Sequence, residues 1–311
     1  MYFPYLYNKQ AENFALRTLS SNSLLSKTIP IVETIFDDTN IDWSDEAAIN
    51  TFIDKKFQSL IKDFADNNNK LIVVINQSLS DAGISFNSLY DRLSSYVGDI
   101  NIDDICYWGI SNTDFVNYES DLTGKKCVIF YENSLSIVTS QDVEIIYHIL
   151  VDGTQNLEFI ALDLDNKVIV ADAFKKQRVN RDYPSKSLFS NNIFIYERMG
   201  LVGFGDYTVL EKNPSQSDGG NMNNITVAAH MTLKQNDILY TKHYICTPEE
   251  VTNNSHRTIN VINQIKNDVD SFYQSNGLQK IMNIPNSTNL TKLKEFTISH
   301  HIENMNYLIN Q

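Results

Sequence analysis

The chain has 311 residues, 42% hydrophobic and 20% charged, which excludes a disordered protein and leaves room for one large domain or two ordinary ones. Its formal net charge of −13, with no run of Lys and Arg to form a basic groove, disfavours wrapping duplex DNA. The three cysteines (Cys106, Cys127 and Cys246) show no CxxC or Cys/His spacing, so they read as reduced thiols rather than zinc ligands.

In chain order, Met1 is followed by YFPYLYNKQ, which lacks the basic start and apolar core of a signal peptide. No apolar stretch reaches membrane-spanning length, and a cytoplasmic protein is expected. Residues 10–20 read as a helix and 29–35 (IPIVETI) as a buried strand. From Asp45 to Asp66 the apolar residues Ile49, Phe52, Ile53, Phe57, Leu60, Ile61 and Phe64 form a helical stripe, capped by Ser44 or Asp45. LIVVI (71–75), ICYWGI (105–110) and KCVIFY (126–131) are strands, with a helix through Leu89, Leu93 and Val97 between the first two.

Residues 143–150 fit either a helix or a strand. Residues 157–162 and 167–171 read as strands joined by a DLDN turn, and 194–196 is ambiguous. Residues 201–209, 225–232 and 238–245 follow as closely spaced strands, the last two as a hairpin. The tail carries helical stripes at Ile262, Ile265, Val269 and Phe272, and at Ile298, Ile302, Met305 and Leu308, with Asn276-Gly277 as a stop signal and Pro285 as a break. The βα rhythm predicts an α/β fold of the (β/α)8 TIM-barrel type with a C-terminal helical segment. The expected division is 1–255 for the barrel and 256–311 for the helices. An open doubly wound sheet is the alternative, although no Gly-rich βα turn supports nucleotide binding of that kind.

Polar residues gather between Asp172 and His243. Carboxylates at the C-terminal ends of barrel strands converge on the face where barrel active sites lie, which makes Glu33, Asp172 and Asp206 candidates. An acidic residue at a strand end more often caps a helix or shapes a turn, and Glu33, which closes a buried run at the sheet margin, is the strongest of the three as a site residue. Asn76, Gln77, Glu132, Asp163 and Asp165 hold comparable positions. The block Gln177–Pro184 contains Arg178 and Arg181, whose guanidinium forks suit an anion, together with Asp182 and Tyr183. In GFGDYT, glycines inside a strand signal a bulge or a close approach that aims Asp206, with Tyr207 beside it. His230 and His243 suit acid/base work or, with carboxylates, a divalent metal, although a His in an apolar strand is more often a hydrogen-bonded core residue. His300 and His301 are expected on the surface of the last helix.

The N-terminal block through IPIVETI, and the DAFKKQRVNRDYP, GFGDYT, GG and VAAHMT blocks, resemble in order the Beta protein family of bacteria and phages. The matching positions are Lys9, Gln10, Glu33, Asp172, Phe174, Gln177, Arg178, Asn180, Asp182, Tyr183, Gly203, Phe204, Asp206, Tyr207, Gly219, Gly220 and His230. The family pattern has Arg-Asn-x-Asp-Tyr where this chain has Arg-Val-Asn-Arg-Asp-Tyr, so either Arg178 or Arg181 can take the arginine's place.

The resemblance implies a barrel-like protein met in mobile-element and defence neighbourhoods, and it assigns no reaction. Joined to the residues, it leads to the expectation of a phage-defence protein with a phosphoester- or nucleotide-directed site. There Asp172, Asp206, His230 and Glu33 act as catalytic groups, and Arg178, Arg181, Asp182, Tyr183, Tyr207 and Lys9 hold a small anionic ligand. A non-enzymatic subunit bound to a protein encoded nearby, and a sugar hydrolase using Glu33 with Asp206 as paired carboxylates, are the alternatives.

Overall fold

The computed structural model describes residues 1–36, 38, 40–151, 155–210, 212, 225–285 and 288–311. The GG block at Gly219-Gly220 lies outside them. The first elements are β1 (Tyr2–Leu6), α1 (Gln10–Ser21), β2 (Ile31–Val32), α2 (Glu46–Ile53), α3 (Ser59–Asp66), β3 (Leu71–Ile75), α4 (Gln77–Asp81) and α5 (Phe86–Ser94). Next come β4 (Cys106–Ser111), α6 (Phe115–Tyr118), β5 (Lys126–Tyr131), β6 (Glu144–Val151), α7 (Asn156–Ala161), β7 (Lys167–Ala171), β8 (Lys186–Leu188), α8 (Asn192–Ile195) and β9 (Gly203–Asp206). The last are β10 (Val227–Gln235), β11 (Ile238–Cys246), α9 (Asn254–Asn267), α10 (Asn276–Met282) and α11 (Leu290–Ile309). No helix among the described residues is long and apolar enough to cross a membrane.

The chain divides into two compact units. The first holds Met1–Lys9, Leu16–Ala171 and Tyr196–Asp206, and the second holds Gln10–Ala15, Asp172–Ile195 and Tyr207–Gln311. This grouping differs from a boundary at 255/256, because strand residues 227–246 go with the C-terminal helices.

The first unit is a closed parallel barrel with strand order β1-β2-β3-β4-β5-β6-β7-β9, a (β/α)8-like fold. Its first strand was not legible as one: Pro4 interrupts the run YFPYL, yet the strand is buried throughout. The long stripe from Asp45 to Asp66 forms α2 and α3 joined by a π-helical turn at Asp54–Gln58, and the Asp45 carboxylate caps α2 by accepting from the Ala47 N–H. Residues 143–150 resolve as strand β6. The expected strand over 157–162 is instead helix α7, so no hairpin joins it to β7, which pairs in parallel with β6 and β9. A single buried residue on α7, Phe159, is enough to seat this short helix, and an apolar run of that length carries no period to separate helix from strand.

Side-chain alternation sorts the barrel wall into two faces. Phe3 on β1 meets Tyr147 on β6 with ring centroids 5.1 Å apart, and Tyr5 on β1 meets Phe130 on β5 at 6.2 Å. Neither pair lies on neighbouring strands, so these rings meet across the barrel interior. Trp108 on β4 instead packs outward on Phe86 and Tyr90 of α5. Gly205 owes its place to this interior. A Cβ there would overlap the Phe3 carbonyl oxygen and come within 2.8 Å of Val170, so the GFG run is a close approach. The register of β9 against β1 and β7 is regular.

The second unit is built on a three-stranded antiparallel sheet of order β10-β11-β8. The expected hairpin is present as β10 and β11, but outside the barrel. One sheet face carries Val227, Ala229, Met231, Tyr244 and Cys246, which bury against Val261 and Ile265 of α9, Leu278 and Ile281 of α10, and Leu293 of α11. Asn276-Gly277 opens α10 rather than stopping a helix. The Ser275 hydroxyl caps it, and a Cβ at Gly277 would come within 2.6 Å of the Phe296 carbonyl oxygen of α11. His300 and His301 are fully buried, contrary to the expected surface position. The His300 ring bonds the Ser275 hydroxyl at 2.8 Å and the Thr232 carbonyl at 2.9 Å, and His301 Nδ1 lies 2.6 Å from Thr232 Oγ1.

Candidate functional site

Two clusters carry chemistry, one in each unit. In the barrel unit, β1, β2 and β3 end side by side and present Tyr5, Glu33 and Asn76. Ile31 pairs in register with Tyr5 and Ile72, and the alternation that turns Tyr5 into the barrel turns Glu33 inward too. The Tyr5 hydroxyl donates to Glu33 Oε2 at 2.7 Å, and Asn76 Nδ2 donates to Oε1 at 2.9 Å. Asn76 is itself held from behind. Its Oδ1 accepts from the Leu79 N–H at the start of α4 and from the Ser78 hydroxyl. Glu33 is half-buried and both its oxygens meet neutral donors; no Lys or Arg among the described residues pairs with it. On the neighbouring end of β4, the Ser111 hydroxyl donates to Asp114 at 2.8 Å.

Asp206 belongs to the same unit but faces the other way. It alternates with the inward Gly205, and the buried Tyr2 hydroxyl donates to its Oδ1 at 2.7 Å. Burial, reinforced by the adjacent Asp206 carboxylate, pushes the Tyr2 phenol well above its ordinary range and keeps it a donor. Glu33 and Asp206 therefore lie on opposite sides of the barrel wall, and the carboxylate pairing expected for a sugar hydrolase is not formed. His148, which sequence reasoning passed over, also faces outward; it sits 2.9 Å from the Tyr131 hydroxyl, its pKa lowered chiefly by burial. Lys9 is exposed.

In the second unit, Asp172, Arg178, Arg181 and Asp182 are all exposed, and Tyr207 is buried. The Asn180 side chain pins their loop by donating to the Thr226 carbonyl at 2.9 Å. Tyr183 turns inward and joins the hairpin histidines. His230 and His243 are directly opposed on β10 and β11, with their Nδ1 atoms 2.8 Å apart. His243 Nε2 lies 2.8 Å from the hydroxyl of Ser187 on the edge strand β8. The Tyr183 ring stacks on His243 at 4.8 Å and 23°, and Phe174 lies 4.8 Å from His230. Burial lowers the pKa of His243 to about 4 and, with His243 and Lys294 adding to it, holds that of His230 well below its ordinary value. Both rings are neutral at neutral pH.

The predicted set is thus split: Glu33, Lys9 and Asp206 lie in the barrel unit, and Asp172, Arg178, Arg181, Asp182, Tyr183, Tyr207 and His230 in the second. Tyr5 and Ser187 were missed. Tyr5 becomes visible only once β1 is recognised as a strand, and a three-residue strand such as β8 leaves no periodic signal. Among the described residues no three His, Cys, Asp or Glu side chains form a ligand set for the expected divalent metal. Comparison of the chain with protein-family models, curated proteins and solved structures finds no match.

Proposed function

We propose that this chain is a phage-defence protein of the Beta type that acts as an enzyme at the C-terminal mouth of its barrel, with Glu33 transferring a proton to or from an uncharged polar or amine substrate. The Tyr5–Glu33–Asn76 clamp carries the enzymatic part of this reading. It holds one inward-facing carboxylate at the end of a barrel strand, where barrel enzymes place their reacting groups. Two neutral donors fix its orientation without neutralising it, as a positioned acid/base group requires. The loops that follow β1 to β5 contain no arginine, so an uncharged or cationic substrate suits this mouth better than a phosphoester. Arg178 and Arg181, on which a phosphoester reading rests, belong to the second unit. The defence setting is supported by the ordered blocks that resemble the Beta family.

The test is a phage challenge of bacteria expressing the chain, its Glu33→Gln variant, and an exposed-site control, Asp99→Asn. The reading expects protection by the parent and the control, and a loss of about 10²-fold or more in protection with Glu33→Gln at unchanged thermal stability, the scale of a lost acid/base group. Equal protection by the folded Glu33→Gln chain overturns the enzymatic reading, and no protection by the parent overturns the defence setting.

A further inference from the structure

We propose that Ser187, His243 and His230 form a second reactive centre, in which Ser187 is the nucleophile of an acyl-transfer reaction on uncharged carboxylic esters. Neither the resemblance nor the Glu33 reading assigns this centre, and it shares no residue with the barrel mouth. The argument begins with register. Antiparallel pairing sets His230 opposite His243 and Ser187 opposite Thr241, and residues 241 and 243 share one face of β11. All four side chains therefore meet on one side of the sheet, the side on which the neighbouring Thr232 hydroxyl meets His301 of α11.

The spacing is that of nucleophile, base and orienter. Ser187 Oγ lies 2.8 Å from His243 Nε2, and His243 Nδ1 lies 2.8 Å from His230 Nδ1. One proton arrangement makes Ser187 the donor: Ser187 O–H to His243 Nε2, and His243 Nδ1–H to His230 Nδ1. His230 then stabilises the His243 imidazolium in the place a carboxylate takes in other triads. Tyr183 and Phe174 hold the two rings and give the site an apolar wall. Burial keeps His243 unprotonated and ready to accept.

A separate observation points to a ligand. Thr241 is 1% exposed, and its buried Oγ1 has no hydrogen-bond partner among the described residues. Buried hydroxyls are ordinarily satisfied. Directly opposed residues of an antiparallel pair bring their side chains together, so this hydroxyl stands beside Ser187 and can donate to a developing oxyanion.

In the reaction Ser187 Oγ attacks the ester carbonyl carbon, and its proton passes to His243 Nε2. The carbon–oxygen bond to the alcohol breaks, the alcohol leaves with that proton, and the acyl group stays on Ser187. Water then attacks the acyl-serine, giving a proton to His243, and the acid departs as Ser187 regains its hydrogen.

The experiment exposes the full-length chain to an alkyl fluorophosphonate and maps the adduct by peptide mass. A single adduct on Ser187 is expected, absent in Ser187→Ala, formed at least tenfold more slowly in His243→Gln and several-fold more slowly in Thr241→Val. No adduct on Ser187 in the parent overturns the proposal. So does an unchanged labelling rate in a folded His243→Gln chain or, if that variant does not fold, in Thr241→Val. Labelling reads Ser187 alone, whereas the phage challenge reads Glu33, so the two readings fail separately.

Discussion

His230 and His243 face each other across the β10–β11 hairpin with their Nδ1 atoms 2.8 Å apart, a contact that needs one ring to donate and the other to accept. Protonating both rings would set two N–H groups against each other. The contact therefore excludes the doubly protonated pair, and the hairpin's stability depends on pH.

The first prediction follows from that dependence. Burial lowers His243 and His300 to about 4 and holds His230 well below its ordinary value. The unfolded chain takes up protons near pH 6.5 that folded His243 and His300 refuse until about pH 4 and that His230 also resists, so stability present above about pH 6.5 is lost as pH falls through that window, at about 1.4 kcal/mol per pH unit per group. Thermal unfolding measured from pH 7 to 4 should show a steadily falling Tm, and His243→Gln should flatten the slope by about one group. A Tm that does not change across the window would contradict this account.

Gly205→Ala tests the barrel interior. The added methyl meets the Phe3 carbonyl oxygen and the Val170 side chain, and backbone cannot give way as a flexible side chain can. A loss of about 1–3 kcal/mol is expected from overpacking. Urea denaturation would show it as a lower midpoint at unchanged slope, and a midpoint equal to the parent's would contradict the close approach of β9 to β1.

Tyr2→Phe tests whether Asp206 is structural. The substitution removes the buried hydroxyl that donates to the carboxylate and should cost about 1–3 kcal/mol. Asp206→Asn, which keeps an acceptor for that hydroxyl, should cost less than Asp206→Ala. Chemical denaturation ranks the three, and equal stability of Asp206→Ala and the parent would remove the structural role.

His300→Ala tests the second unit's core. The ring ties the Ser275 cap of α10 to the Thr232 carbonyl of β10 from its place on α11. Its loss leaves both groups buried without that partner and should cost about 2 kcal/mol or more. Hydrogen exchange should then quicken in α10 and β10 together. Faster exchange in α11 alone would show that the ring does not link them.

Much of this architecture was legible because local patterning and packing agree. The Asp45–Asp66 stripe has the period of a helix, the hairpin at 225–245 alternates as strands do, and LIVVI is dense in β-branched residues; each formed as that element, the stripe with one π turn. Where neither a period nor a run of β-branched residues is present, the element is not legible. Residues 157–162 are too few to separate helix from strand, and Pro4 masked a strand that is buried throughout. At the candidate sites, Glu33 was readable as a carboxylate ending a buried run, whereas its partners Tyr5 and Asn76 come from other strands.

By itself, then, the amino-acid sequence determined the composition class, the βα rhythm of a barrel and the positions of Glu33, His230 and His243 on or beside strands, since these depend on residue type and short-range period. Only the tertiary structure decided that Glu33 points into the barrel while Asp206 points out, that β10 and β11 build a separate sheet, and that Ser187 meets His243. Those outcomes depend on strand register and on contacts between residues distant along the chain. A shift of one residue in register would turn every one of those side chains to the other face.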